Sequence, residues 1–178
     1  MTGRTGVSAG DPRRGRWRTL VGVCVVTCFL VHVPGGLSLA ATLPDAVPFS
    51  GPTLKGEALV FDPRKLERPA LAVFWASWCR ECRYEFHELK KLHAATLDRL
   101  DIYGVSVDKE LTKAVDIARR AGLPYPSVFD PAARIAKLYE VRGTPTMVLI
   151  DRGGKVRHVG HRLDGRFHAI LQQVLDGS

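Results

Sequence analysis

Phe74-Trp75-Ala76-Ser77-Trp78-Cys79-Arg80-Glu81-Cys82 is the stretch on which the reading of this chain turns. Ala70–Trp75 is a short, wholly apolar run, the pattern of a buried strand. From Cys79 to about Asp98, apolar residues recur at Phe86, Leu89, Leu92, Ala95 and Leu97 with Lys and Glu between them, which predicts an amphipathic helix. Cys79 therefore stands where a strand hands over to a helix. The first amides of a helix have no partner within it, and its dipole favours negative charge at that end. A thiol placed there is biased towards thiolate, the reactive form. Cys82 lies one turn further on and is able to close a disulfide with Cys79. The spacing is that of a reversible dithiol centre.

The elements on either side follow from pattern. Residues 42–69 are rich in Pro and Gly with a short alternating piece at Ala58–Phe61, which predicts a β-hairpin leading into the domain. Asp101–Val107 is a second apolar strand, and Leu111–Ala121 a helix closed by Gly122. Ser127–Asp130 reads as a short strand or turn and Ala132–Tyr139 as a short helix. Thr146–Ile150 and Lys155–Gly160 flank Asp151-Arg152-Gly153-Gly154, a hairpin signal, and Phe167–Leu175 is a terminal amphipathic helix. The order β-α-β-α-β-α-β-β-α predicts an α/β fold with helices on both faces of the sheet.

The 178 residues suffice for one domain, residues 42–178, behind a leader, residues 1–41. Five arginines of the leader (Arg4, Arg13, Arg14, Arg16, Arg18) stand against one acid, Asp11, and an apolar run follows from Leu20 to Val33. Pro34-Gly35-Gly36 breaks that run, and Ser38-Leu39-Ala40 offers small residues at a signal-peptidase spacing. Two readings stand: a cleaved signal peptide, or a retained N-terminal membrane anchor. Both place the domain outside the cytoplasm, in a periplasm or on the outer face of the membrane, with the arginines inside. Half of the formal charge of +8 lies in the leader, since the remainder carries 21 basic against 17 acidic residues. No basic run with interleaved aromatics occurs there, which argues against nucleic acid as a partner.

Cysteine usage divides in the same way. Cys24 and Cys28 fall in the leader, so Cys79 and Cys82 are the only thiols expected in the mature domain. One close pair is not a disulfide framework. A zinc site needs a second ligand pair at motif spacing, and His87 and His93 on the same predicted helix do not complete four ligands. Covalent haem attachment needs His directly after the second cysteine, where Arg83 stands. No metal or cofactor is expected. A CxxC pair in an α/β pattern reads as a thioredoxin-like redox motif.

Further motifs agree with it. Trp75-Ala76-Ser77-Trp78-Cys79…Cys82…Glu85, Gly104-Val105-Ser106-Val107-Asp108, Val141-Arg142-Gly143-Thr144-Pro145-Thr146 and Leu149-Ile150-Asp151-Arg152-Gly153-Gly154-Lys155 resemble the TlpA/ResA group of thioredoxin-like proteins, to which CcmG/DsbE is related. The resemblance covers roughly residues 44–175. It implies a thioredoxin-like fold with a central mixed sheet and an exported thiol-disulfide oxidoreductase. Cys79 and Cys82 would form the redox-active disulfide, with Cys79 attacking and Cys82 resolving. It implies a cis bond at Thr144-Pro145, which with Trp78 would bind substrate. Glu85 lies on the face of Cys82 and would serve in proton transfer, the alternative being an ordinary early-helix acid. Val73 stands where cytoplasmic thioredoxins carry a buried aspartate. His87 stands where relatives often have a helix-kinking proline. His158, His161 and His168 read as surface residues.

The partners implied are oxidised client proteins, apocytochrome c or other thiol proteins such as those of metallochaperone or oxidase assembly. A transmembrane thiol carrier of the CcdA/DsbD type would supply electrons. Two rivals share the fold. A thiol peroxidase needs Thr or Ser three residues before the reactive cysteine and Pro seven before it, where this chain has Ala76 and Ala72. A copper-binding assembly module needs wider cysteine spacing and a distal His.

Overall fold

The computed structural model describes residues 44–177, so the leader expected at 1–41, with Cys24 and Cys28, lies outside the described residues. The strand Ala70–Trp75 (β3) is fully buried at all six positions. A strand without an exposed face has to lie in the middle of a sheet covered on both sides. It does: the order is β5-β4-β3-β6-β7, with β4 spanning Asp101–Ser106, β5 Ser127–Phe129, β6 Thr146–Ile150 and β7 Val156–Gly160. The β3/β4 and β4/β5 pairs are parallel, and β3/β6 and β6/β7 antiparallel, so the sheet is mixed.

Alternation along β3 sorts the two core layers. Leu71, Val73 and Trp75 face α1 (Arg80–Ala95), α2 (Leu111–Ala121) and α4 (Gly165–Asp176), meeting Phe86, Leu89, Ala114, Phe167 and Leu171. Ala70, Ala72 and Phe74 face α3 (Arg134–Leu138) and the hairpin β1 (Phe49–Pro52) and β2 (Ala58–Phe61), meeting Phe49, Phe61 and Ile135. The expected α/β architecture, with helices on both faces and an N-terminal hairpin, is present. The hairpin is a separate two-stranded antiparallel sheet, tied to the edge strand β5 through a Thr53–Val128 bridge. The segment before it is fastened near the opposite edge of the sheet. Ala46 N–H donates to Gly154 O at 2.8 Å, and Asp45 pairs with Lys155 in the β6–β7 turn.

Two helices are shorter than their sequence patterns suggest. α1 stops at Ala95 because the Thr96 hydroxyl donates to Leu92 O and the amides of Arg99 and Leu100 both close on Thr96 O. The resulting turn leaves Leu97 exposed. α3 loses its first turn to Asp130, whose carboxylate accepts the amides of Arg134 and Ala136 and so fixes where the helix begins. α2 ends as its sequence predicts, at Gly122 with φ +63°.

His158 corrects an expectation. It lies on β7 but is only 8% exposed, its ring edge-on to Phe167 of α4. The terminal helix covers the face of the edge strand that a sequence pattern leaves open. Burial, aided by the nearby Arg166 and opposed by Asp164, holds its pKa below the ordinary histidine value.

Candidate active site

The site grows from the C-terminal end of β3. Beyond Trp75 the chain must leave the sheet and turn into α1, and the turn is held by one acid. Asp108, just after β4, is 2% exposed. Its carboxylate oxygens accept the Ser77 amide at 3.1 and 2.9 Å, the Ser77 hydroxyl at 2.6 Å and the Ser106 hydroxyl at 2.9 Å. Register explains the meeting, since Ser106 pairs with Trp75 across the β3/β4 ladder. Arg83 adds a bond from its guanidinium to Ser77 O at 3.1 Å. Asp108 falls within a sequence motif that does not by itself disclose this task. The signal was there: an acid closing an apolar strand, with serines at 77 and 106 as its only polar neighbours in the motifs.

Cys79 is the N-cap of α1. Its own amide donates to Ala76 O at 3.1 Å, while the Cys82 amide donates to Cys79 Sγ at 3.1 Å. Cys79 and Cys82 form a disulfide with Cα atoms 5.4 Å apart. Cys82 is fully buried and Cys79 retains 5% exposure, so access from solvent favours Cys79. Val73 packs in the same apolar cluster as the two sulfurs. Beside them Trp78 is 68% exposed, so packing does not account for it. Arg80 reaches Tyr84 OH at 3.4 Å, and the Glu81 carboxylate faces Arg162 at 3.8 Å. His87 is exposed, 4.0 Å from the Glu88 carboxylate.

The second wall comes from β6. Thr146 pairs with Phe74, which brings the preceding residues to the same end of the sheet as the dithiol, one strand over. The Thr144–Pro145 bond is cis. Pro145 and Thr146 are buried, and the Thr146 hydroxyl donates to Gly143 O at 2.7 Å. The Thr144 hydroxyl is buried without a hydrogen-bond partner among the described residues. Glu85, half-buried on α1, accepts the Leu163 amide at 3.2 Å through Oε2. One carboxylate oxygen is thus committed to the loop between β7 and α4. Among the described residues no group of three or more His, Cys, Asp or Glu is placed to hold a metal. Nor is any described helix long and apolar enough to cross a membrane.

A CxxC pair capping the helix that follows a central strand, with a cis-proline at the head of the neighbouring antiparallel strand, defines a thioredoxin-like protein. The model of the AhpC/TSA family matches residues 44–159, and the chain belongs to that family. It is similar to the thiol-disulfide oxidoreductase ResA of Geobacillus thermodenitrificans, 31% identical over 87 residues, 48% of this chain and 50% of the relative. It is also similar to a thiol:disulfide interchange protein DsbE homolog of Paracoccus denitrificans, 33% identical over 109 residues, 60% of this chain and 58% of the relative. The matched region thus spans between half and three-fifths of the length of these two relatives. Among solved structures, the thioredoxin domain of a thiol-disulfide oxidoreductase from Bacteroides vulgatus superposes with a TM-score of 0.67 at 27% identity, covering 75% of this chain and 98% of that one.

Proposed function

We propose that this protein is an exported thiol-disulfide oxidoreductase that reduces disulfides in client proteins. The observation that carries the reading is the Cys79–Cys82 disulfide at the N-terminus of α1, with the Cys82 amide aimed at Cys79 Sγ. An N–H donor at that sulfur, together with the helix end, favours the thiolate once the pair is reduced. Cys79 thiolate attacks a client disulfide, forming a mixed disulfide and releasing one client thiolate, which takes up a proton. Cys82 then loses its proton and attacks Cys79 Sγ, releasing the second client thiol and leaving Cys79–Cys82 oxidised. Two electrons pass from the dithiol to the client, and the structure corresponds to the oxidised end of that cycle.

Trp78 offers an exposed apolar surface beside the sulfur, and the Thr144–Pro145 segment offers backbone groups to an extended client. Glu85 is the candidate acid–base group for Cys82. Apocytochrome c is the client class that fits best, with thiols of metallochaperone or oxidase assembly next. A CcdA/DsbD-type membrane thiol carrier is the electron source. Export rests on the basic, then apolar leader at 1–41, whether cleaved or kept as an anchor. The similarity to ResA and to the DsbE homolog supports the chemistry.

Membership of the AhpC/TSA family makes peroxide reduction the rival enzyme reading. Ala76, which lacks the hydroxyl that this chemistry calls for, speaks against it, and peroxide consumption by the purified protein decides it.

The test of the main reading is a Cys82→Ala trap expressed in the native host. Clients are expected to accumulate as mixed disulfides on Cys79, identifiable by mass spectrometry. Absence of any disulfide-linked client at normal trap levels overturns the proposal, and equal trapping by Cys79→Ala overturns the division of roles.

A further inference from the structure

The loop between β7 and α4 touches both walls of the site through three successive residues. His161 Nδ1 lies 2.7 Å from Pro145 O and 3.4 Å from Thr146 Oγ1. The Arg162 guanidinium faces Glu81 at 3.8 Å, and the Leu163 amide donates to Glu85 at 3.2 Å. Glu81 and Glu85 sit on the dithiol helix. Pro145 and Thr146 belong to the opposing segment.

The donor roles follow from the acceptors. A carbonyl oxygen only accepts, so the proton shared with Pro145 O is on His161 Nδ1. The Thr146 hydroxyl gives its proton to Gly143 O and turns a lone pair towards the same imidazole. Gly143, Thr146, His161 and Pro145 thus form one chain of hydrogen bonds around the cis-proline turn. His161 is itself exposed, so its place in the structure is explained by these bonds and not by packing.

We propose that His161 is a positioning residue, and that the 161–163 loop sets the spacing between the dithiol and the backbone edge that an extended client uses. The inference rests on the oxidoreductase reading above. A three-residue span is too short to take up slack, so a donor at 161 on one side and an acceptor at 85 on the other fix the gap. A client that pairs its backbone along Thr144–Pro145 depends on that gap. A small disulfide that meets only the sulfur does not.

The test mixes prereduced protein, freed of excess reductant, with two substrates, a cystine-bridged extended peptide and 5,5′-dithiobis(2-nitrobenzoate), which has no peptide backbone. It reads the single-turnover rate against substrate concentration, kcat and KM denoting its maximum and half-saturation point. In His161→Ala, kcat/KM for the peptide is expected to fall about tenfold, the size of one lost hydrogen bond, mainly through KM. The rate with the small disulfide is expected to stay near wild type. His161→Asn, whose side-chain N–H occupies the place of Nδ1–H, is expected to recover most of the peptide KM. An equal fall with both substrates, an unchanged peptide KM in His161→Ala, or failure of Asn to recover more than Ala overturns the inference. A wild-type protein that reduces neither substrate overturns the oxidoreductase reading itself, and is distinguishable because no variant is needed to see it.

Discussion

The backbone amide of Cys82 lies 3.1 Å from Cys79 Sγ, and no comparable donor faces the sulfur of Cys82 among the described residues. The two sulfurs of one disulfide are therefore unequal before any client arrives. After reduction, iodoacetamide at neutral pH is expected to modify Cys79 roughly tenfold faster than Cys82, since alkylation follows thiolate character and access. Peptide mapping at short reaction times reads the ratio. Faster labelling of Cys82 exchanges the attacking and resolving roles.

Asp108 carries a separate consequence. Its carboxylate is buried and its described partners are Ser77 and Ser106, so deleting it strands an amide and two hydroxyls at once. Asp108→Ala is expected to cost about 3 kcal/mol of stability. Asp108→Asn, which keeps one acceptor oxygen, is expected to cost less. Urea unfolding of both variants measures this, and an Ala variant within about 1 kcal/mol of wild type contradicts the holding role.

Glu85 holds a loop and sits on the dithiol helix itself, and two substitutions part these duties. Glu85→Gln keeps an oxygen for the Leu163 amide but gives up the ionisable proton. It is expected to lower kcat while leaving the peptide KM intact. Glu85→Leu is expected to lower kcat, to raise the peptide KM and to lose about 1 kcal/mol of stability, one hydrogen bond's worth. If Gln and Leu behave alike in KM, the bond to Leu163 has no part in positioning.

His158 links pH to stability. Its pKa is lowered in the folded state, so the native protein holds it neutral while the unfolded chain protonates it near the ordinary value of about 6.5. Its contribution to stability is therefore full above that value and is lost as pH falls through it, because the unfolded state then binds the extra proton. Urea midpoints at pH 7.5 and 5.0 are expected to differ less in His158→Gln than in wild type. An identical pH dependence in the two proteins removes His158 as the cause.

What could be read from the sequence was what is local. The strand-to-helix junction at Cys79, the Gly122 stop and the β6–β7 hairpin each depend on residues within a few positions of one another, and each is found where its pattern predicts. Three features escaped: the grip of Asp108 on Ser77, 31 residues away, the Glu85–Leu163 bond across 78 residues, and His161 reaching back 16 residues to Pro145. These depend on strand register and on which loop closes over which helix, and neither leaves a periodic signature. His158 escaped for the same reason: an edge strand looks half-open until the terminal helix is docked on it. The resemblance named Glu85 for its charge, whereas the structure adds what that charge is tied to.

The fastening of Asp45 and Ala46 at the β6–β7 turn has a directional consequence. That turn lies beside Ala70, the start of β3, while the sulfurs lie past its end at Trp75. The described residues thus begin near one end of β3, and the sulfurs lie past its other end, about 20 Å away along its six residues. Anything that approaches the sulfurs therefore meets the end of β3 that the Asp45–Lys155 fastening leaves untouched.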